Sequence, residues 1–307
     1  MRHDLLGDIF ETLRLRGRLS FVAELRAEDA VAVPAERQVV RVHLVRHGAC
    51  TVAVPGHDPV ALAQGDLALI PHGAAQVLRG GDAIGEPMPL VALLDAGALI
   101  DGVLRTGDGL VGASLLCGYC EADGGHPILE ALPPAMVLQE RDLGGDPWAA
   151  AALRLLTLEA GRMGNGAGAI LTRTIEVLLI QAVRRAATGH ETSTAFLVAL
   201  ADRPLARALA AIHRDPAAPW TLPLLAREAG LSRTVFAARF AKLVGQPPAT
   251  YLASWRLTLA AAHLRRRDMA VEEIAERVGY ASPAAFARRF KAAHGLGPGA
   301  WRKINSQ

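Results

Sequence analysis

Residues 273–301 read EIAERVGYASPAAFARRFKAAHGLGPGAW, and residues 224–251 read LLAREAGLSRTVFAARFAKLVGQPPATY. The two stretches align with an offset of 49 as far as Gly230 and Gly279. One residue is then inserted, and Phe236/Phe286, Phe240/Phe290, Gly245/Gly295, Pro248/Pro298 and Tyr251/Trp301 match at an offset of 50. A repeat of this kind means that one supersecondary unit is built twice.

Each copy reads as helix, tight turn, helix. Ala226 and Ala275 are small residues where two helices cross closely. Gly230 and Gly279 suit the positive φ of a turn that ends a helix. Ser232 and Ser282 stand where an N-cap is wanted, and Pro283 takes the favoured first helical position. Phe236 and Phe240, like Phe286 and Phe290, lie four apart on one helix face and are expected in the core, while the opposite face is polar, small or basic. This pattern is a helix-turn-helix, whose second helix enters the major groove of DNA. Trp255 to Arg266 reads as a long helix between the copies. It can hold them near ~34 Å apart, so that both enter successive major grooves on one face of B-DNA.

The charge distribution agrees with this placement. The chain has 307 residues and a net charge of +3. Residues 1–188 carry 16 Lys and Arg against 22 Asp and Glu, a net of −6, and residues 189–307 carry 17 against 8, a net of +9. Only the last part is suited to a polyanion. Of the 33 basic residues 30 are Arg, whose planar fork suits phosphate and guanine.

The first two thirds read differently. Short apolar runs (Val39–Val45, Cys50–Val54, Leu67–Ile70) alternate with turn clusters at 55–59 and 79–82, which predicts an all-β barrel or sandwich from Ser20 to about Met136. Asp4 to Leu15 reads as a short amphipathic helix. Trp148 to Met163 and Ala169 to Ala187 form a helical pair whose wide apolar faces (Leu153, Leu156, Ile175, Leu178, Leu179) need a partner, either the barrel or a second subunit. Thr188 to Thr194 is small and polar, as a linker is. The fold class is therefore α+β: an N-terminal β-barrel with a helical pair, then an all-α domain of two helix-turn-helix units. The expected divisions are 1–145, 146–188 (helical packing or dimerisation), 189–200 (linker) and 201–307. No apolar h-region follows Met1 and no run of 18 apolar residues occurs, so neither a signal peptide nor a membrane span is expected. Three cysteines (Cys50, Cys117, Cys120) do not make a secreted disulfide framework, and a reducing cytoplasm is expected.

Residues 204–302 resemble the AraC/XylS-type DNA-binding domain, through WTLPLLAREAGLSRTVFAARF from Trp220, IAERVGYASPAAFARRFK from Ile274 and GPGAW from Gly297. The resemblance implies seven helices in this domain and a bacterial transcription regulator, taken as an activator. VHLVRHG from Val42, GDLALIPHG from Gly65 and LCGY from Leu116 resemble the cupin-like sensor domain of one branch of that family. The implied partners are double-stranded promoter DNA, a small-molecule effector, a second copy of the chain and RNA polymerase. No cofactor is implied. The alternative is a cupin-type enzyme or metal-binding barrel fused to a DNA-binding module.

The candidate DNA contacts in the first recognition helix are the exposed Arg233, Thr234, Ala237 and Ala238, with Arg239 directed to the phosphate backbone. In the second, the resemblance places Ala284, Ala287 and Arg288 toward the groove, with Arg288 the prime base-reading side chain because Arg to guanine is the commonest specific contact. Arg289 and Lys291 neutralise phosphate, and a basic run, Arg265, Arg266 and Arg267, ends the long helix. Cupin enzymes hold metal through a His-x-His pair and a further His after Pro-x-Gly. Here the pair is His43-x-Val45 and Gln76 stands at the later position, so metal chemistry is not expected. Strand alternation puts His43 and His47 on one face, where they line a ligand pocket with Gln76 or are satisfied within the domain. Cys117 and Cys120 have C-x-x-C spacing, yet on one strand they point to opposite faces, which resists a zinc site even with His126 nearby. They remain as redox-sensing or structural thiols.

Overall fold

The computed structural model describes residues 6–7, 9–10, 16–36, 39–81, 83–121, 129, 132–139, 146–162, 164–188, 195–266 and 268–305. The chain divides into two compact units. One comprises residues 15–122 and 132–186, and the other comprises 1–14, 123–131 and 187–307. Of the helix read over Asp4–Leu15, only Leu6, Gly7, Ile9 and Phe10 are described, and they are helical.

The N-terminal unit is a curled, cupin-like sheet. Its strands are β1 (Arg16–Arg26), β2 (Ala30–Val33), β3 (Val39–Ala53), β4 (Val60–Ala63), β5 (Leu67–Ile70), β6 (Gln76–Gly80), β7 (Met88–Pro89), β8 (Leu99–Ile100), β9 (Val103–Arg105), β10 (Val111–Glu121) and β11 (Met136–Leu138). Helix α1 (Leu90–Asp95) lies between β7 and β8. The strand order is β7-β2-β6-β3-β10-β1-β9-β8, with β4, β5 and β11 off this path. The long strand β3 is the hub. Its first half pairs with β10 and β5, and its second half with β4 and β6.

The apolar runs Val39–Val45 and Cys50–Val54, read above as separate, are therefore parts of one strand. The chain bends between them instead of turning. The register on β10 slips between Ser114 and Leu115, so that Ser114 faces His47 and Leu115 faces Val45, leaving Arg46 as an extra residue in a β-bulge. Gly48, at φ 75°, completes the bend. A Cβ there would stand 2.0 Å from the Gly112 carbonyl oxygen, so glycine is required. The curl encloses a core of Leu25, Val31, Val45, Val52, Ile70, Leu78 and Leu115.

Helices α2 (Pro147–Arg162) and α3 (Ala167–Thr188) belong to this unit. Leu153, Leu156, Ile175, Leu178 and Leu179 are all buried. Against the alternatives posed above, this unit covers them. Gly17 of β1 is the close approach. A Cβ on it would meet the Thr172 carbonyl oxygen at 2.8 Å, and its N–H donates to Glu176 Oε1 at 3.2 Å.

The C-terminal unit is helical: α4 (Ala195–Ala201), α5 (Arg203–Arg214), α6 (Leu222–Ala229), α7 (Arg233–Val244), α8 (Pro248–Arg266), α9 (Val271–Arg277), α10 (Pro283–His294) and α11 (Pro298–Asn305). The region 189–200, read as linker, is corrected in its second half. The run AFLVALA forms α4 because five of its seven residues are Ala or Leu, good helix formers, and it buries Phe196 and Ala199. Residues 189–194 lie outside the described residues. Helix α8 starts at Pro248, seven residues before the expected Trp255, since proline at the first turn forfeits no hydrogen bond.

The duplicated units match in detail. Gly230 and Gly279 adopt φ 69° and 86°. Ser232 caps α7 by accepting from the Val235 N–H at 3.4 Å, and Ser282 caps α10 by accepting from the Ala285 N–H at 3.3 Å. Phe236 and Phe240 meet at a tilt with ring centroids 5.4 Å apart, and Phe240 meets Tyr251 edge-on at 5.7 Å. Phe286, Phe290 and Trp301 repeat this at 5.6 and 5.7 Å. All four phenylalanines are fully buried. Phe286→Ala and Phe236→Ala should each cost about 3–5 kcal/mol in urea unfolding, through lost burial and the cavity left behind. A cost under about 1 kcal/mol would contradict this packing.

Candidate nucleic-acid interface and sensor cavity

The phenylalanine face of each second helix is buried, so its other face is presented outward. On α7 this face holds Arg233, Thr234, Ala238 and Arg239, all exposed, with Ala237 half-buried. On α10 it holds Ala284, Arg288, Arg289 and Lys291, exposed, with Ala287 half-buried. The sequence reading overlooked Val235, which is 50% exposed beside Thr234. An exposed β-branched residue in the first turn of a recognition helix, out of phase with the buried phenylalanines, was its available signal. Together with Ala237 and Ala238 it gives the outward face of the first of these helices an apolar character.

Arg239 has a different surrounding from the other basic side chains. Its guanidinium pairs with Asp202, which is 9% exposed at the side chain. The other oxygen of Asp202 caps α5 by accepting from the Leu205 N–H at 3.1 Å. One carboxylate thus ties α5 to α7 and takes Arg239 toward the protein. At the end of α8, Arg265 stacks its guanidinium over the Trp301 ring at 5.1 Å, and Arg266 is exposed. Arg267 lies outside the described residues. A cleft runs between the two helix-turn-helix units, lined by Trp220, Leu222, Ala237, Arg256, Tyr280 and Arg289. Outward basic side chains are therefore fewer on α7, where Arg233 stands unengaged by Asp202, than on α10, with Arg288, Arg289 and Lys291.

Within the curled sheet, β3 aims His43 inward, where it is 3% exposed. The pairing places it opposite Cys117, with His43 Nδ1 3.3 Å from Cys117 Sγ. Burial pushes the His43 pKa down to about 4, helped by the positive charge of Arg41, so the ring is neutral near pH 7. Gln76, 2% exposed, approaches the same ring. Gln76 is close enough to bias the His43 ring toward its protonated form, but in distance and angle the buried His43 Nε2, both amide atoms of Gln76 and Arg41 Nε complete no hydrogen bond among the described residues. The Arg41 head is otherwise held by Glu36 Oε2 at 2.7 Å. Gln76 borders a neighbouring recess with Val33 and Leu90, and around His43 and Arg41 the walls are apolar, with Phe21, Leu25, Val33, Leu78, Leu90 and Leu104. The space between them is little larger than a water molecule.

His47 is a correction. It is exposed, because the bulge at Arg46 reverses the alternation between Val45 and His47 and turns its side chain out of the barrel. His43 and Gln76 come together; His47 does not join them. Cys117 and Cys120 do point to opposite faces. Cys117 sits in the core of the curl, and Cys120 is buried on the side that senses Glu176 of α3. Burial pushes both thiols up to about 12. His126 lies outside the described residues. Among the described residues no three His, Cys, Asp or Glu side chains converge as metal ligands.

Comparison with known proteins places both units. A family model described as cupin matches residues 4–188, and one described as helix-turn-helix domain matches residues 225–304. The chain is 33% identical to a putative AraC-like transcription regulator of Streptomyces lividans, over 98% of both chains. It is 27% identical to the HTH-type transcriptional regulator AlkR of Acinetobacter baylyi, over 94% of this chain and 95% of that one. Among solved structures, the DNA-binding domain of AdpA in complex with a target DNA is 33% identical and covers 33% of this chain and 91% of that chain, with a TM-score of 0.32. The cupin match over residues 4–188, the helix-turn-helix match over 225–304 and the near full-length identity to an AraC-like regulator together show that the protein belongs to the AraC-type family of transcription regulators.

Proposed function

We propose that this regulator is controlled by a small molecule taken up inside the curled sheet, and that α7 and α10 read its promoter. The observation that carries the reading is the cluster of His43, Gln76 and Arg41. Buried polar atoms left without partners cost about 1–3 kcal/mol each, and a polar ligand head relieves that cost. The apolar walls select a small, mostly apolar body behind that head. The cavity is tight, so entry has to move part of its apolar wall, and occupancy thereby acts on the shape of the sheet. A thiolate sensor fits less well, because burial keeps Cys117 and Cys120 protonated.

On DNA, Arg288 reads a base, Arg289 and Lys291 neutralise phosphate, and Arg233 and Thr234 orient the first unit. Each helix of the pair also carries apolar side chains seven apart that stand exposed, Trp148 and Leu155 on α2, Ile170 and Val177 on α3. Such a stripe suits a second copy of the chain, and the regulator acts as a homodimer. No described helix is long and apolar enough to cross a membrane. The protein works in the cytoplasm, recruiting or obstructing RNA polymerase at the promoter.

A panel of small carboxylic acids and alcohols tests the sensor. Compounds that raise the melting temperature of the full chain and change its affinity for its own upstream DNA should lose both effects in Gln76→Leu. Equal responses in the variant would place the ligand elsewhere. On the DNA side, Arg288→Ala should cost about 1–3 kcal/mol and relax specificity at one base pair. Lys291→Ala should lower the salt slope of binding by about one, whereas Arg239→Ala, engaged by Asp202, should leave the slope unchanged. A salt titration of the three variants separates these roles.

The buried histidine also makes a pH prediction. Its pKa is about 4 in the fold against 6.5 when exposed, so the unfolded chain binds the extra proton first. Its stabilising contribution is complete above pH 6.5 and is lost as pH falls through 4, a change of about 3 kcal/mol. The difference in unfolding free energy between wild type and His43→Gln should shrink by about that amount from pH 7 to pH 4. A constant difference would mean that His43 is open to water.

A further inference from the structure

The two helix-turn-helix units have separate aromatic cores, joined by one helix. Tyr251, Leu252 and Trp255 at the start of α8 are buried in the first unit's half. Leu257, Ala260, Ala261 and Leu264 pack with Ile274, Phe286 and Phe290 in the second. A cleft separates the units on the side of Ala237 and Arg289. A shared helix fixes how far apart the cores lie. The open cleft leaves the tilt of one recognition helix against the other to the contacts made across the boundary between the units.

Arg256 spans that boundary. Its Nε donates to the Pro216 carbonyl at 2.7 Å and its Nη2 to the Ala218 carbonyl at 2.9 Å. Both belong to the loop that leads into α6 of the first unit. Its Nη1 donates to the Gly279 carbonyl at 3.0 Å, in the turn between α9 and α10 of the second unit. The two backbones meet directly at this point. A Cβ on Gly279 would stand 2.8 Å from Ala217 Cα and 2.8 Å from Arg256 Cζ. The loop itself is braced, since Trp220 Nε1 donates to the Asp215 carbonyl at 2.7 Å and Asp215 Oδ1 accepts from the Ala218 N–H at 3.1 Å. Only a planar fork of fixed N–H donors can serve three carbonyls from two segments at once, and a lysine ammonium on a flexible stem does not reproduce it.

We propose that Arg256 is a positioning residue that locks the two recognition helices at one separation and tilt, and so sets the half-site spacing the regulator accepts in DNA. The lock carries weight because successive major grooves lie about 34 Å apart and each inserted base pair shifts one half-site by about 3.4 Å along the axis and turns it around the axis. A rigid pair of readers rejects such a shift, whereas a loosely joined pair follows it.

The test uses the full chain and a duplex of about 30 bp that the wild-type protein selects from a random pool, alongside the same duplex with one base pair inserted or removed between the half-sites. Wild type should lose about tenfold in affinity on either altered duplex. Arg256→Met should bind the parent duplex more weakly and lose less than about threefold on the altered ones. Arg256→Lys, which keeps the charge and the stem, should behave like Arg256→Met and carries the test if the methionine variant does not fold. A uniform loss of affinity with the spacing penalty unchanged in these variants would show Arg256 to be a stability element only and would overturn the proposal. The inference rests on both recognition helices entering DNA. If wild type itself loses nothing on the altered duplexes, that premise fails and the proposal fails with it.

Discussion

Two phenylalanines one helical turn apart, closed edge-on by an aromatic from a following helix, are the contact on which the C-terminal unit depends. The set occurs twice, as Phe236, Phe240 and Tyr251 and as Phe286, Phe290 and Trp301. Each set commits one face of a recognition helix to the core, and the outward face follows from that commitment. Arg288 and Thr234 can meet DNA because the residues that point the other way cannot leave. Aromatics are 5% of the chain, and four of its seven phenylalanines are placed here.

The two recognition helices have the same build and unequal chemistry. The first offers Val235, Ala237 and Ala238 with its Arg239 turned to Asp202, while the second offers Arg288, Arg289 and Lys291. Charge contributes to affinity for any duplex, whereas methyl contacts and a single guanidinium contribute to choice. The −6 and +9 halves of the chain follow the same division of labour. The acidic excess lies with the cupin-like part and the basic excess with the helix-turn-helix part.

In the sensor unit the corresponding constraint is the bend in β3. Without the bulge at Arg46 and the left-handed Gly48, the strand that holds His43 against Cys117 could not also pair with β4 and β6. The bend closes the sheet around an apolar interior, and that interior gives the buried polar atoms of His43 and Gln76 their cost. A histidine held neutral and a thiol held protonated are consequences of the same desolvation.

Much of this was legible in the amino-acid order. The repeat, the turn glycines, the serine caps, the buried phenylalanines and the opposed faces of Cys117 and Cys120 depend on residue type and on periods of 2 or 3.6, which act over a few residues. The helical pair and the mainly β character of the first part were legible for the same reason. What only the tertiary structure decided involves partners far apart in the chain. His47 left the barrel because its strand bulged against β10, the helix over residues 195–201 docks through Phe196 against Tyr251, and the exposed Arg239 is engaged by Asp202 from another helix. Arg256 reads in sequence as one more surface cation on a helix, and its three carbonyls are contributed by two segments that folding alone brings together.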